Sequence, residues 1–120
     1  MAPPKAFPSE RKRTVLITGC SAHSLGYALA LAFHATGEFR VFATARDLSR
    51  MDGLKERSGH KIETLQLDVL DQESIDRCFA EVAALIETGE REGTNGKGLN
   101  CLVNNAGGGE SFGFLFSVPF

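Results

Sequence analysis

The sequence predicts an α/β fold in which helices cover a parallel sheet, as in the N-terminal half of a doubly wound domain. Short β-branched runs alternate with longer segments whose apolar residues recur at helical spacing. The short runs are continuously apolar, which is typical of strands buried on both faces of a sheet. Right-handed crossovers join strands that alternate with helices, so we expect about four parallel strands, in the order 3-2-1-4, and about three helices.

The first part of the chain supplies two strands and one helix. Residues 1–12 are polar and Pro-rich, and we expect them to form a disordered arm. The run TVLIT at 14–18 predicts the first strand, and FRVFATA at 39–45 predicts the second. Residues 25–36 predict a helix that ends at Gly37. The apolar stripe of this helix, expected to face the sheet, contains Leu25, Ala28, Leu29, Ala32 and Phe33.

The next part predicts two further helices and two further strands. A short helix is expected within 47–59, with inward residues Leu48, Met51 and Leu54. The alternating run KIETLQLDV at 61–69 predicts the third strand, and Asp71 is the expected N-cap of a longer helix. One face of that helix carries Ile75, Phe79, Val82 and Ile86. The polar, glycine-rich residues 88–98 predict a surface loop, and LNCLVNN at 99–105 predicts the fourth strand.

The composition argues against several classes of protein. The 13 basic and 15 acidic residues nearly balance, so we expect no nucleic-acid partner. No apolar stretch approaches the roughly 20 residues that span a bilayer, and the N-terminus lacks the apolar core of a signal peptide. The three cysteines have neither paired nor metal-ligand spacing, which predicts free thiols, no metal site and a cytoplasmic location. Peripheral association with lipid droplets or the endoplasmic reticulum remains an open alternative.

The stretch VLITGCSAHSLG has the layout of a phosphate-binding turn between a strand and a helix. Gly19 permits a tight turn, and Gly26 lets the helix pack closely on the strand. His23 and Ser24 replace the glycine that normally lets the backbone approach a pyrophosphate, although the Ser24 hydroxyl is able to donate to a phosphate. The turn and residues 104–107 are expected at one crevice, where the strand order reverses. This pattern predicts a Rossmann-like dinucleotide site, with an ordinary βα turn as the alternative.

Arg46 is the residue that predicts the choice of dinucleotide. It lies 20 residues beyond Gly26, at the end of the second strand, where the ribose 2′ position is sensed in dinucleotide-binding folds. A carboxylate there favours NAD, whereas a guanidinium favours the 2′-phosphate of NADP. Asp47 is the rival residue, but its position favours capping of the following short helix. The sequence therefore predicts NADP as the cofactor, with a solvent-facing charge as the alternative interpretation of Arg46.

Four motifs in order, TGCSAHSLG, FATARD, LDV and LVNNAG, resemble those of the short-chain dehydrogenase/reductase family over residues 13–107. The sequence is most similar to the NADP-preferring branch that includes reductases of steroids, retinoids and acylated dihydroxyacetone phosphate. The resemblance implies that residues 13–107 form an NAD(P)-binding Rossmann-like domain, or part of one. Residues 108–120 are apolar and depart from the family pattern, and we expect them to form a separate tail.

The resemblance also implies a set of cofactor-binding residues. The turn would hold the pyrophosphate and adenine ribose, Ser21 and Arg46 the 2′-phosphate, and Asp68 the adenine. The residues around 104–107 would border the adenosine and nicotinamide riboses. For Asp68 and Asn105 the alternative is that each satisfies backbone groups where a loop leaves the sheet. The implied set is Gly19, Ser21, Ser24, Leu25, Gly26, Arg46, Asp68, Asn104, Asn105, Ala106 and Gly107.

The chemistry of the family requires a Tyr and a Lys four residues apart, where the Lys lowers the pKa of the Tyr hydroxyl. The only tyrosine in this chain is Tyr27, and Leu31 follows it four residues later. We therefore predict no catalytic residue. The expected function is the cofactor-binding portion of an NADP(H)-dependent carbonyl reductase or alcohol dehydrogenase, inactive by itself. The alternatives are a non-catalytic nucleotide-binding or interaction module, or a fragment or mispredicted gene product.

Two expectations concern partners. A small carbonyl or alcohol substrate would bind only to a longer form of the chain, because the pocket-forming residues of the family come later than residue 107. The helices of the usual family dimer also lie beyond residue 120, so we expect that interface to be absent. An unpaired fourth strand and the apolar tail at 108–120 would then favour non-specific association.

Overall fold

The computed structural model describes residues 12–88 and 98–105. It contains four strands: β1 (Arg13–Ile17), β2 (Phe39–Ala45), β3 (Glu63–Gln66) and β4 (Cys101–Val103). They form one parallel sheet in the order β3-β2-β1-β4, with Ile17 beside Ala43 and Val103. The predicted doubly wound α/β class and the strand order 3-2-1-4 are confirmed.

Three helices connect the strands, as the sequence predicts. They are α1 (Leu25–Ala35), the one-turn α2 (Leu54–Arg57) and α3 (Gln72–Thr88). The predicted capping of α3 by Asp71 is confirmed, because the Glu73 amide donates to Asp71 Oδ1 at 3.1 Å. The carboxylate thus accepts from one of the amides that a helix leaves without an internal partner.

The segment predicted as one helix over 47–59 is divided into two pieces. A 3-10 turn at Leu48–Met51 precedes α2, and Gly53 separates them in the left-handed region at φ 83°. Met51 and Leu54 are buried, as predicted. The prediction for Leu48 is wrong, since its side chain is 50% exposed. Met51 and Leu54, on either side of the break at Gly53, contribute to the same buried cluster, whereas Leu48 at the start of the 3-10 turn does not.

The core has two halves, one on each face of the sheet. α1 packs on one face, against the half of the core centred on Val15, Ile17, Val41 and Ala43. α3 covers the other face, and its predicted inward positions Ile75, Val82 and Ile86 are buried there with Cys78. The central strands therefore have buried side chains on both faces, which explains their continuously apolar sequence.

The buried face of α1 agrees only in part with the predicted stripe: Leu29 and Phe33 are half-buried and pack against the core, but Ala28 and Ala32 are exposed. The buried residues are Gly26, Tyr27 and Ala30, whereas Leu25 is 65% exposed. The segment LGYALALAFHA is apolar around most of its circumference, so its periodicity does not select one face. The orientation is set instead by Tyr27, whose hydroxyl donates to the carbonyl of Asp52 at 2.8 Å and ties α1 to the segment before α2.

The amino end of the sheet is held by polar contacts of its strands. Arg40 of β2 forms a bidentate ion pair with Glu63 of β3, at 2.6 Å and 3.0 Å, and also donates to the carbonyl of Leu85 in α3 at 3.3 Å. At the start of β1, the Thr14 amide donates to Asn100 Oδ1 at 2.9 Å. These contacts connect β2 to β3 and α3, and β1 to the segment before β4.

Several predicted features lie outside the described residues: the arm up to residue 11, the loop from 89 to 97, the tail, Ala106 and Gly107. Within the described ranges, no helix is both long enough and apolar enough to cross a bilayer.

The thiol chemistry of the core is testable. The three cysteines are free, as predicted, and burial raises the pKa of both Cys20 and Cys78 to about 11 from the usual 9.0. We expect an aromatic disulfide reagent at neutral pH to label Cys101 in the folded chain, but Cys20 and Cys78 only after unfolding. Simultaneous labelling of all three thiols under native conditions would contradict this packing.

The same pKa shifts predict a loss of stability at alkaline pH. The unfolded chain releases the two thiol protons near pH 9, while the folded chain retains them until about pH 11. Raising the pH across this interval therefore favours unfolding. Chemical denaturation at several pH values measures the slope, and a Cys78→Ala variant should show a smaller slope than the parent chain.

Candidate cofactor site at the carboxyl edge of the sheet

The turn between β1 and α1 is built on a close contact between two glycines. Gly19 adopts φ 73°, in the left-handed region that favours glycine. A Cβ atom placed on Gly26 would lie 2.2 Å from the carbonyl oxygen of Gly19. The start of α1 therefore lies directly against the turn, and only a residue without a side chain fits there. Both glycines have the structural roles that the sequence predicts for them.

Asn105 completes this junction from the end of β4. Its Nδ2 group donates to the carbonyls of Thr18 and Gly19, at 3.2 Å and 3.3 Å, and its backbone amide donates to Thr18 Oγ1 at 2.8 Å. Asn105 thus satisfies backbone groups where β1 ends, which was one of its two predicted roles. This contact fixes the position of the turn relative to β4.

The remaining turn residues are held by backbone and side-chain hydrogen bonds. The Cys20 amide donates to the Thr44 carbonyl of β2 at 2.9 Å, and the Ala22 amide donates to the carbonyl of Arg50 at 2.7 Å. Ser24 is the N-cap of α1, since its Oγ accepts from the Tyr27 amide at 3.2 Å and lies 3.1 Å from the Gly19 carbonyl. Donation to Gly19 uses the hydroxyl proton that a phosphate would otherwise receive.

His23 occupies the most unusual backbone position in the turn. Its φ is 67°, in the left-handed region that residues other than glycine rarely adopt, and its side chain is exposed. The turn thus keeps a glycine-like conformation although the sequence has no glycine at that place. His23 therefore adds an exposed imidazole to the surface of the turn.

The N-terminus of α1 presents donors toward the carboxyl edge of the sheet. Among the residues that the structure describes, the amides of Leu25 and Gly26 have no acceptor, and the first turn of α1 carries no acidic residue. The helix dipole adds partial positive charge at the same place. Unpaired amides and a helix N-terminus together favour an anion. The exposed side of Leu25 provides an apolar surface beside these donors.

Arg46 follows the last residue of β2 and is exposed. Within residues 12–88 and 98–105, its guanidinium makes no ion pair and no hydrogen bond to another side chain. Its neighbour Asp47 caps the 3-10 turn: Oδ1 accepts from the amide and hydroxyl of Ser49 at 3.0 Å and 2.8 Å, and these bonds lower the pKa of the carboxyl. The predicted capping role of Asp47 is confirmed, and its carboxylate does not neutralise Arg46.

Asp68 lies after β3, at the same edge of the sheet. Its Oδ1 accepts from the amide of Leu70 at 3.0 Å, and its own amide donates to Ser74 Oγ at 2.8 Å. One carboxylate oxygen is therefore used by the local turn, as the structural alternative predicts. The carboxylate remains half-exposed next to the exposed side chain of Leu70.

The structure brings the described candidate residues to one edge. They follow the carboxyl ends of the four parallel strands, where α/β folds bind their ligands. Ser21 and Asn104 are half-buried at this edge, and no group of three potential metal ligands forms in the described ranges. Sequence reasoning missed Gln66 and Ser74, whose side chains bond to the backbone of Arg46 and Asp68, and Arg50, whose carbonyl accepts from Ala22 in the turn between β1 and α1.

The family of the chain follows from its sequence. The short chain dehydrogenase family model matches residues 13–116, which include every candidate residue described above. This chain therefore belongs to the short-chain dehydrogenase family, and the predicted resemblance is confirmed.

Individual relatives agree with this assignment. A short-chain dehydrogenase/reductase of Pestalotiopsis microspora is 50% identical over 96 residues, which cover 80% of this chain and 29% of the relative. The NADPH-dependent 1-acyldihydroxyacetone phosphate reductase of Schizosaccharomyces pombe is 46% identical over 98 residues, which cover 82% of this chain and 29% of the relative. The structure of a short-chain dehydrogenase from Streptomyces avermitilis matches with a TM-score of 0.61 and 35% sequence identity. The match covers 80% of this chain and 31% of that structure. The chain thus spans less than a third of the length of each.

The contact between the two glycines predicts a large effect of one methyl group. Gly26→Ala places Cβ against the backbone carbonyl of Gly19, so α1 must move away from the turn. We expect a loss of about 3 kcal/mol in the free energy of unfolding, measured by denaturant titration.

Gly37→Ala is the matched control. Gly37 also has a positive φ, at 75°, but nothing lies within 4 Å of its added Cβ. We expect it to cost about 1 kcal/mol, from backbone strain alone. Equal losses for Gly26→Ala and Gly37→Ala would show that the close contact is unimportant.

Proposed function

We propose that this chain binds NADPH along the carboxyl edge of its sheet and forms the cofactor-binding part of an NADP(H)-dependent carbonyl or alcohol oxidoreductase. The observation that carries the proposal is the exposed guanidinium of Arg46 at the end of β2, which makes no hydrogen bond or ion pair within the part of the chain that the structure describes. Membership of the short-chain dehydrogenase family supports a nicotinamide cofactor at this turn. The NADPH dependence in the name of the Schizosaccharomyces pombe relative supports the choice of NADP.

The pyrophosphate is proposed to bind at the start of α1. The amides of Leu25 and Gly26 supply hydrogen-bond donors, and the helix dipole favours negative charge there. Gly19, with its left-handed backbone, keeps side chains out of the approach to these amides. Ser24 contributes by capping α1, which holds the donors in place, rather than by contacting the phosphate itself.

The adenosine half of the cofactor is proposed to extend from α1 toward β3. Arg46 would pair with the 2′-phosphate, aided by the hydroxyl of Ser21, and the half-exposed carboxylate of Asp68 would accept from the adenine amino group. Asn104 and Asn105 would border the riboses, together with Ala106 and Gly107. Asn105 would act chiefly through the turn it holds, because its Nδ2 already donates to two carbonyls.

Carbonyl reduction is proposed to require a longer form of the chain. Tyr27, the only tyrosine, is buried, and its hydroxyl donates to the Asp52 carbonyl at 2.8 Å. A hydroxyl used in this way is not available to a substrate oxygen. The proton donor would come from the part of the family sequence that this chain does not span.

A second candidate function is a non-catalytic nucleotide-binding or interaction module that acts at this length. The observation that favours it is the structural role of Tyr27, combined with a complete turn between β1 and α1. The two candidates differ in whether a longer product with a Tyr and a Lys four residues apart is made. Sequencing of full-length transcripts separates them.

The role of Arg46 is tested by cofactor selectivity. A charge-assisted pair with phosphate contributes about 1.5–3 kcal/mol, which corresponds to about 10- to 100-fold in affinity. We expect the chain to prefer NADPH over NADH by that factor, and Arg46→Ala to remove most of the preference while leaving NADH binding nearly unchanged. Dissociation constants come from nicotinamide fluorescence titrations.

Lys61→Ala is the control for this experiment. Lys61 is an exposed cation that precedes β3 and so lies at the opposite edge of the sheet. Its removal changes net charge by the same amount as Arg46→Ala, and we expect it to leave the preference intact. Equal affinities for the two cofactors in the parent chain, or a preference that survives Arg46→Ala, would refute this role.

Binding at this length is tested by thermal unfolding. A ligand that binds only the folded state raises its stability by about 2.7 kcal/mol at 100 times the dissociation constant. We expect one cooperative transition that moves to higher temperature as NADPH is added, and a smaller shift with NADH. The absence of a cooperative transition would refute the second candidate function, a module that acts at this length.

A further inference from the structure

Gln66 connects Arg46, the residue predicted to select the cofactor, to helix α3 through hydrogen bonds. It is the last residue of β3 and lies beside Ala45, the last residue of β2. Its Nε2 donates to the carbonyl of Arg46 at 3.2 Å. Its Oε1 accepts from Ser74 Oγ and from Arg77 Nη1, each at 3.3 Å, so both ends of its side-chain amide are used.

The partners of Gln66 determine which way its amide faces. The guanidinium of Arg77 has only donors, so it must meet the oxygen of Gln66. The hydroxyl of Ser74, 1% exposed, accepts from the Asp68 amide at 2.8 Å, which leaves its proton for the same oxygen. The nitrogen of Gln66 therefore faces the Arg46 carbonyl, and a continuous series of hydrogen bonds runs from α3 to Arg46.

This series restricts the backbone from which the Arg46 side chain extends. On one side, the carbonyl of Ala45 accepts from the Leu67 amide at 2.9 Å. On the other side, the following peptide is held by Gln66, and Asp47 is fixed by its cap on Ser49. The guanidinium makes no hydrogen bond or ion pair with the described residues, so the polar contacts that restrain Arg46 are those of its backbone.

We propose that Gln66 is a positioning residue that orients Arg46 toward the ribose 2′-phosphate and so sets the preference for NADPH. This inference rests on the proposed function, because it assumes that Arg46 contacts the cofactor. Ser74 supports Gln66 from α3 and holds the Asp68 amide with the same hydroxyl. The two candidate residues on the adenosine side, Arg46 and Asp68, are thereby connected through one buried serine.

The test uses Gln66→Met, which keeps the length of the side chain and removes its donor and acceptor. We expect the ratio of the NADH and NADPH dissociation constants to fall about 3- to 10-fold, because Arg46 then spends less time in the orientation that contacts phosphate. NADH affinity should change little. General destabilisation of the fold would instead weaken both cofactors together and leave the ratio unchanged.

Gln72→Met is the matched control. Gln72 begins α3, is exposed, and donates only to Asp76 at 2.9 Å within the described chain. We expect it to leave the ratio unchanged. A double variant, Gln66→Met with Arg46→Ala, should show the ratio of Arg46→Ala alone, since there is then no guanidinium to orient.

The outcomes separate this inference from the proposed function. If Arg46→Ala abolishes the preference but Gln66→Met retains it, the positioning role of Gln66 is overturned and the proposed function stands. If the parent chain binds neither cofactor, or both equally, the proposed function fails and this inference fails with it. The inference is also overturned if Gln66→Met lowers the ratio by the same factor in the parent chain and in the Arg46→Ala variant. The effect of Gln66 would then not pass through Arg46.

Discussion

The contact between Gly26 and the carbonyl of Gly19 is the constraint on which the rest of the edge depends. It brings the start of α1 against the end of β1, so that the first helical amides face the carboxyl edge of the sheet. Asn105 closes the contact from β4, and Tyr27 fixes the rotation of α1 from the other side. Donors that a helix always leaves unpaired are thereby directed toward the place where parallel sheets bind ligands.

The carboxylates nearest to Arg46 at this edge are engaged locally and form no ion pair with it within the described residues. Asp47, the nearest carboxylate in sequence, is engaged with Ser49, and Asp68 uses one oxygen for the amide of Leu70. Arg40, the cation at the opposite end of β2, is fully paired with Glu63. The guanidinium of Arg46 makes no hydrogen bond or ion pair within the described residues, and Asp68 keeps its second carboxylate oxygen for a ligand. A guanidinium and a helix N-terminus at the same edge of the sheet each favour a phosphate group.

Features that depend on local pattern were predictable, and features that depend on tertiary contact were not. The continuous β-branched runs correctly predicted the strands and their order, and Asp71 correctly predicted the start of α3. The predicted stripe of α1 was only partly right because an almost wholly apolar helix has no preferred face: Leu29 and Phe33 pack against the core, but Leu25 is exposed. The position of Leu48 was wrong, since it begins a 3-10 turn rather than lying within one helix. Gln66 carried no local signal, since its importance comes from partners on β2 and α3.

A cofactor site at this edge is tested most directly by an amide NMR titration of the isotope-labelled chain with NADPH. We expect saturable shifts for the amides of Leu25 and Gly26 and for the side-chain nitrogen of Arg46, with the same dissociation constant for all three. Amides at the opposite edge, such as those of Thr14 and Asn100, should not move. Shifts that are absent from the start of α1, or that are concentrated at the opposite edge, would contradict a cofactor site built on the contact between Gly19 and Gly26.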